Sequence, residues 1–295
     1  MRTLLSLSLM LTTASAAAQV PKEAVEDPNK QQVVPALADV PKPDKGYGTV
    51  VGQFVFDGKV PDRILLHKKG DPSVKDGGSC ATKDHYRNDL VVNEKNMGIQ
   101  NIFFYEKRGA YSKKKDAVHP DLRKPKNKEV YFDQKGCRFM PKALLVRAGQ
   151  TVVVLSDDEV NHNTNMKPLK NQPMNVMIGA KDREGTPFPL KKGETAPIEV
   201  ACDLHPWMRA NWLVMDHPYM AVSNKDGRFM VANLPAGKHE VRLWHRIPGY
   251  LHKKIGTAKT AEYEVKKGKM YFEVKSGEVL DLKQIKLKAE WFEGK

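Results

Sequence analysis

The segment Cys202-Asp203-Leu204-His205-Pro206-Trp207-Met208 spaces a thiol, an imidazole and a thioether as Cys-x2-His-x2-Met. A soft thiolate, borderline nitrogen donors and a weak thioether suit an ion that cycles between Cu(I) and Cu(II), with two His and one Cys as strong ligands and Met as the long axial one. The second imidazole must come from elsewhere in the chain. His162, in Asn161-His162-Asn163-Thr164-Asn165, follows an apolar run ending at Leu155 and supplies it. With 3 Cys, 9 His and 12 Met in 295 residues, one such spacing is expected by chance roughly 0.004 times. The plainer alternative makes Cys202 and Met208 ordinary buried hydrophobes, a common fate for both types, with His205 a surface residue held by Pro206.

Zinc also accepts mixed donors, but it rarely recruits a thioether, and its structural sites usually carry two or more thiolates. A binuclear copper centre would need a second Cys in the loop, and a multicopper oxidase would need His-x-His pairs; neither occurs. The expected centre is one copper ion per chain, ligated by His162, Cys202, His205 and Met208, with no position left open for a substrate. Outer-sphere electron carriage follows more naturally from that than catalysis, so no catalytic residues are expected. His205 and Trp207 are the expected electron entry, the ring edge emerging through an apolar patch. Asn163 is expected to cross-link the two ligand loops and Pro206 to stiffen one of them, as groups behind metal ligands commonly do.

These segments resemble the cupredoxins. The short amicyanin-like loop has the same two-and-two spacing and places His-Pro-aromatic-Met in series, here His205-Pro206-Trp207-Met208; His162-Asn163 is similar to the His-Asn pair of plastocyanin-like and amicyanin-like proteins. A nearer likeness is to exported, methylamine-utilisation-like cupredoxin proteins, which share Gln134-Lys135-Gly136-Cys137, then a Pro, a strand, a Gly-Gln turn, His-Asn and Cys-x2-His-Pro-Trp-Met. The resemblance covers about residues 47 to 216. It implies a Greek-key β-sandwich, a type 1 copper site and a transient redox partner.

The elements that must position the site read as strands. Thr49 to Phe56 alternates and closes on Asp57-Gly58, and further strand runs are 102–105, 130–132, 143–147, 151–155, 196–201 and 210–215. Short strands at this spacing, with almost no helical periodicity, argue for an all-β sandwich. Residues 217–295 repeat the style, with turns at Asp226-Gly227 and Pro235-Ala236-Gly237, and resemble the small carboxypeptidase-regulatory, transthyretin-like β modules. The segment 48–58 also looks like the first strand of that module, which would make the copper domain an insertion within it. His217, His239 and His245 form no ligand-like cluster.

Arg2, the apolar run Leu4 to Leu11 and the small residues Ala14 to Ala18 have the pattern of a secretory signal cleaved near Ala16 to Ala18. The expected location is periplasmic or secreted, with no membrane span. Residues 19–46, with five prolines among polar residues, read as a disordered tether. If Cys202 binds metal, Cys80 and Cys137 remain as an even pair in a compartment that permits disulfides, and a bridge is expected; the rival reading joins Cys80 and His85 in a second metal site. The net charge of +14 is compatible with an acidic redox partner or simply with a soluble surface. Nucleic acid is not expected, because no basic helix or aromatic platform accompanies the charge. A reading from a different class remains: a cell-envelope binding or structural module whose copper site is a store or a relic.

Overall fold

The computed structural model describes residues 34–113, 117–251, 258–260 and 263–293; the expected signal segment and most of the expected tether lie outside them. Alternating apolar residues build strands throughout, and the strands form two packed bodies, each with its own core.

The first body is a sandwich. One sheet runs Met174–Ile178, His162–Met166, Ile198–Ala201, Arg209–Met215 and Ala143–Arg147 in spatial order, and the facing sheet runs Thr186–Pro189, Thr151–Val154, Glu129–Gln134 and Phe139–Met140. Inward residues of both sheets, among them Phe132, Leu144, Val152, Phe188, Val200 and Trp212, form one buried core, as the alternation of a half-buried strand requires. Ala143–Arg147 pairs parallel with Arg209–Met215, and Glu129–Gln134 parallel with Thr151–Val154. The order is that of crossed-over, Greek-key strands rather than a simple meander.

The second body joins strands from both ends of the chain. Tyr47–Asp57 lies between Arg228–Pro235, antiparallel, and Val279–Lys288, parallel. Opposite it, Phe103–Glu106 sits between Met220–Val222 and Gly237–His245, followed by Lys269–Val274 and Tyr263–Lys266. Phe54, Phe104 and Phe229 stack at the centre, with centroids 4.6 and 4.5 Å apart. Gly227 closes the expected Asp226-Gly227 turn at φ +75°, and a Cβ there would meet the Phe54 carbonyl oxygen at 2.2 Å, so only glycine fits.

Two sequence expectations change here. The expected run 102–105, placed by the resemblance within the copper domain, forms the strand Phe103–Glu106 and shares a sheet and a core with 219–292, because an apolar strand carries no label for the sheet it will join. The chain leaves for the sandwich along Phe103–Glu106 and returns along its antiparallel neighbour Met220–Val222; an interfacial cluster of Phe103, Tyr105, Ala143, Leu213, Met215 and Val222 fixes the two bodies together. Residues 34–46 are not a free tether: Pro43 is buried, Arg228 donates to the Pro35 carbonyl at 3.2 Å, and His119 bonds Asp44 at 2.9 Å. His217, His239 and His245 are all buried.

Residues 58–97 form little regular structure beyond the pair Leu65–His67 and His85–Tyr86 and one helical turn, Gly77–Cys80. A disulfide joins Cys80 in this segment to Cys137 in the sandwich, across a sequence separation of 57. With Cys80 so engaged, the alternative pairing of Cys80 with His85 on a metal falls away. Replacing both cysteines by Ala should lower stability by about 4 kcal/mol, the loop-closure value for an interval of this size. Denaturant unfolding of the oxidised wild type against the double variant measures it, and an unchanged midpoint would contradict the role.

Candidate metal centre

Two loops at one end of the sandwich carry the donors. His162 opens the strand His162–Met166, while Cys202 directly follows the neighbouring strand Ile198–Ala201 and His205 lies within the turn back to Arg209–Met215. The turn is tied shut by backbone bonds, Met208 N–H to the His205 carbonyl at 2.9 Å and Cys202 N–H to the Met208 carbonyl at 3.1 Å. Neighbouring strands bring residues 40 positions apart into contact, since His162–Met166 pairs with Ile198–Ala201.

The donor atoms of His162, Cys202 and His205 all lie within 4.8 Å of one another, and all three residues are buried. The two Nδ1 atoms face each other at 3.0 Å, and Cys202 Sγ is 3.6 Å from His205 Nδ1. Donors held at about 2.0 Å for nitrogen and 2.3 Å for sulfur around one ion can stand at most about 4.3 Å apart, so both separations are within a single ion's reach. The donor chemistry, one thiolate and two imidazoles with Met208 buried in the same core, fits copper. Cys137, Asp158 and His162 also approach one another, but Cys137 is spent in the disulfide.

Each imidazole turns its outer nitrogen to a carboxylate. His162 Nε2 bonds Asp158 Oδ2 at 2.9 Å, and His205 Nε2 bonds Asp76 Oδ2 at 3.0 Å. Such pairs fix the ring and make its inner nitrogen a better donor. Asp158 is held in turn by the backbone N–H groups of Gly136 and Cys137 at 2.6 and 2.8 Å. Burial pushes the Asp158 carboxyl up, yet His162 and these N–H donors hold it below its usual range.

The thiol is perturbed more strongly. Burial raises it, but hydrogen bonds with the His162 and His205 rings overcome this and bring Cys202 down to about 6. Burial likewise lowers His162, but its bonds to Asp158 and Cys202 prevail and raise it to about 9. Thiolate and imidazolium therefore stand together at neutral pH when no metal is bound.

Asn163 bridges the His162 strand and the Cys202 turn. Its N–H donates to Cys202 Sγ at 3.5 Å, its Oδ1 accepts from the N–H groups of Asp203 and Leu204 at 2.7 and 3.3 Å, and its Nδ2 donates to Asp203 and Asn175. Asp203 is in addition gripped by the amides of Asn165 and Asn175. Pro206 sits inside the tied turn, its carbonyl accepting from Arg209 Nε at 3.0 Å.

The expected electron entry is corrected. His205 is 0% exposed, so its ring edge does not emerge, because the segment 58–97 lies over it. Trp207 is partly buried: its Nε1 donates to the Cys137 carbonyl at 3.1 Å, and its ring packs on His205, His67 and His85 with centroids 5.2, 4.7 and 6.0 Å apart. Asp76, Asp158, Asp203, Asn175 and His67 were given no role by sequence reasoning, and His85 was weighed only as a metal partner of Cys80. Asp158 and Asn175 had a weak signal in their closeness to His162; Asp76, 129 residues from its partner His205, had none.

No protein-family model matches the chain, and no curated protein sequence matches it. Solved structures similar to part of it include the Cu-containing nitrite reductase of Thermus scotoductus, at 20% identity over 29% of this chain and 22% of that one, TM-score 0.26. The chain thus spans about a fifth of that relative's length. A purple cupredoxin from Nitrosopumilus maritimus matches at 18% identity over 28% of this chain and 97% of that one, TM-score 0.24. Amicyanin from Paracoccus versutus matches at 16% identity over 34% and 87%, TM-score 0.25. The fold class is all-β, a two-sheet sandwich beside a second body of mixed parallel and antiparallel pairing. No helix among the described residues is long and apolar enough to cross a membrane.

Metal binding requires a thiolate and a neutral imidazole. Between pH 6 and 9 Cys202 is already ionised while His162 still holds its proton, so binding must displace one proton from this pair. The apparent affinity should rise about tenfold per pH unit in that window, steepen below 6 and level off above 9. Competition against a chelator of known pH dependence reads the slope; a flat profile from 6 to 9 would contradict the protonation scheme.

Proposed function

We propose that the chain is an exported, mononuclear type 1 copper protein that passes single electrons between redox partners, with no catalytic chemistry of its own. The observation that carries this reading is the convergence of His162 Nδ1, His205 Nδ1 and Cys202 Sγ, all buried, within 4.8 Å. Met208 is the proposed weak axial ligand. One copper per chain would supply one-electron exchange between Cu(II) and Cu(I).

The chain's own residues supply rigidity. The two ligand loops issue from paired strands and are bolted together through Asn163, so the donors are held before metal arrives, and a centre that need not rearrange exchanges electrons quickly. The apolar shell of Leu204, Trp207 and Met208 keeps water from the donors. Four protein ligands leave no open position, which disfavours inner-sphere oxidation of a bound substrate. The excess of positive charge, +14 overall, supports a transient and acidic partner.

A second reading, a cell-envelope module with a copper store or relic site, draws support from the complete burial of His205 beneath Asp76. The two readings part on kinetics: a carrier is reduced completely and fast, a store slowly and incompletely.

Cys202→Ser should abolish the visible colour and redox activity while leaving the fold intact by circular dichroism, and Met208→Gln should retain the metal and shift its potential. An unchanged visible spectrum in Cys202→Ser would sink the assignment. The carboxylate behind His162 favours the more highly charged Cu(II). Asp158→Asn is therefore expected to raise the reduction potential by roughly 40–90 mV, the one-electron equivalent of a 1–2 kcal/mol interaction. Protein-film voltammetry measures the shift, and a fall in potential would contradict the electrostatic role.

A further inference from the structure

Of the seven large apolar side chains exposed among the described residues, three are consecutive: Ile64 at 55%, Leu65 at 38% and Leu66 at 44%. Single exposed hydrophobics are ordinary, whereas a contiguous patch marks an interaction surface. This patch belongs to the segment that covers the metal centre. Leu65 and Leu66 lie on the short strand Leu65–His67, whose only strand partner among the described residues is His85–Tyr86.

The next residue, His67, turns inward. It is 7% exposed, and its Nε2 has no hydrogen-bond partner among the described residues. Its ring packs edge-on against Trp207 at 4.7 Å between centroids, and Trp207 packs against His205 at 5.2 Å. An unbroken line of packed rings thus joins the apolar patch to a metal-ligand ring. The Trp207 ring is held in place by its bond to the Cys137 carbonyl, and Cys137 is itself disulfide-bonded to the covering segment.

Resting on the copper-carrier reading, we propose that the patch Ile64-Leu65-Leu66 is the docking surface for an acidic one-electron protein, and that His67 and Trp207 couple it to His205. The partner's charge follows from the flanks, where Arg63, Lys68, Lys69, Lys83 and Arg87 are exposed against the two exposed acids Asp62 and Asp84. Apolar contact at the centre with a charged rim is the anatomy of a small, transient interface. The alternative approach to His205 passes Asp76, a carboxylate that repels an acidic partner. A copper ion held by His162, Cys202 and His205 would accept the one electron that the reduced partner gives up, with no proton moved and no bond formed.

The test uses a plant-type [2Fe–2S] ferredoxin as probe, an acidic one-electron protein of low potential. Titrated into the copper-free full chain, it should shift amide resonances of residues 63–69 and 85–87, and Leu65→Glu/Leu66→Glu should weaken binding at least tenfold. In the copper-loaded chain the same variant should slow reduction by ferredoxin at least tenfold, with an unchanged visible spectrum and less than a twofold change in reduction by ascorbate. His67→Leu should slow ferredoxin-driven reduction without weakening binding. Shifts centred on residues 75–78, no shifts at all, or unaltered binding in the double variant would overturn the docking surface; an unaltered rate in His67→Leu would overturn the coupling. The copper-free titration decides the surface even if the loaded protein lacks a type 1 spectrum, which would instead count against the carrier reading.

Discussion

Everything at the metal end of this protein answers to one constraint: a cysteine thiolate is kept in a buried site. Charge away from water is costly unless it is paired and hydrogen-bonded. Cys202 is compensated by two imidazoles, by the Asn163 N–H and by His162's pairing with Asp158. The compensation is reciprocal, since Asp158 is itself held by the N–H groups of Gly136 and Cys137. A half-satisfied network of this kind would be worse than an apolar core, so the donors, their carboxylates and the supporting loops form a single unit.

The fold supplies that unit from distant parts of the chain. Paired strands bring His162 to the Cys202 loop. The covering segment 58–97 then adds Asp76 behind His205 and the rings of His67 and His85 against Trp207. That segment has almost no strand pairing of its own, and its attachments to the sandwich include the Cys80–Cys137 disulfide, Arg138 Nε to His85 Nε2 at 2.6 Å and the Lys142–Asp89 ion pair at 2.9 Å. Burial and the Arg138 cation keep His85 well below the usual histidine range, at about 4, so it accepts this bond as a neutral ring. The disulfide is thus part of the metal end's construction as well as of overall stability.

Much of this was legible in the sequence because it is local. The Cys-x2-His-x2-Met spacing lies within one turn, the strand runs announce themselves by alternation, and the turns at Asp226-Gly227 and around Pro235 are short-range signals. The Cys80–Cys137 bridge came from counting cysteines. What was not legible is what depends on pairing across the chain. Phe103–Glu106 is apolar in either sheet, so its pattern could not say that it joins Gly237–His245. The burial of His205 is caused by residues more than a hundred positions away, in a segment without periodicity. Asp76 lies among other charged and small residues with nothing to distinguish it. The second body places the chain's first described strand between Arg228–Pro235 and Val279–Lys288; the likeness of 48–58 to a first strand of the C-terminal module pointed to this membership, but no local pattern encodes its parallel partner.

The most direct test of the central claim is the visible absorption and electron paramagnetic resonance of the protein after one equivalent of Cu(II). The account expects an intense thiolate-to-copper band and narrow hyperfine splitting, both arising from Cys202 in a mononuclear site with His162 and His205. A colourless protein, or one with the wide splitting of square copper, would mean that Cys202 is not a ligand and would contradict it.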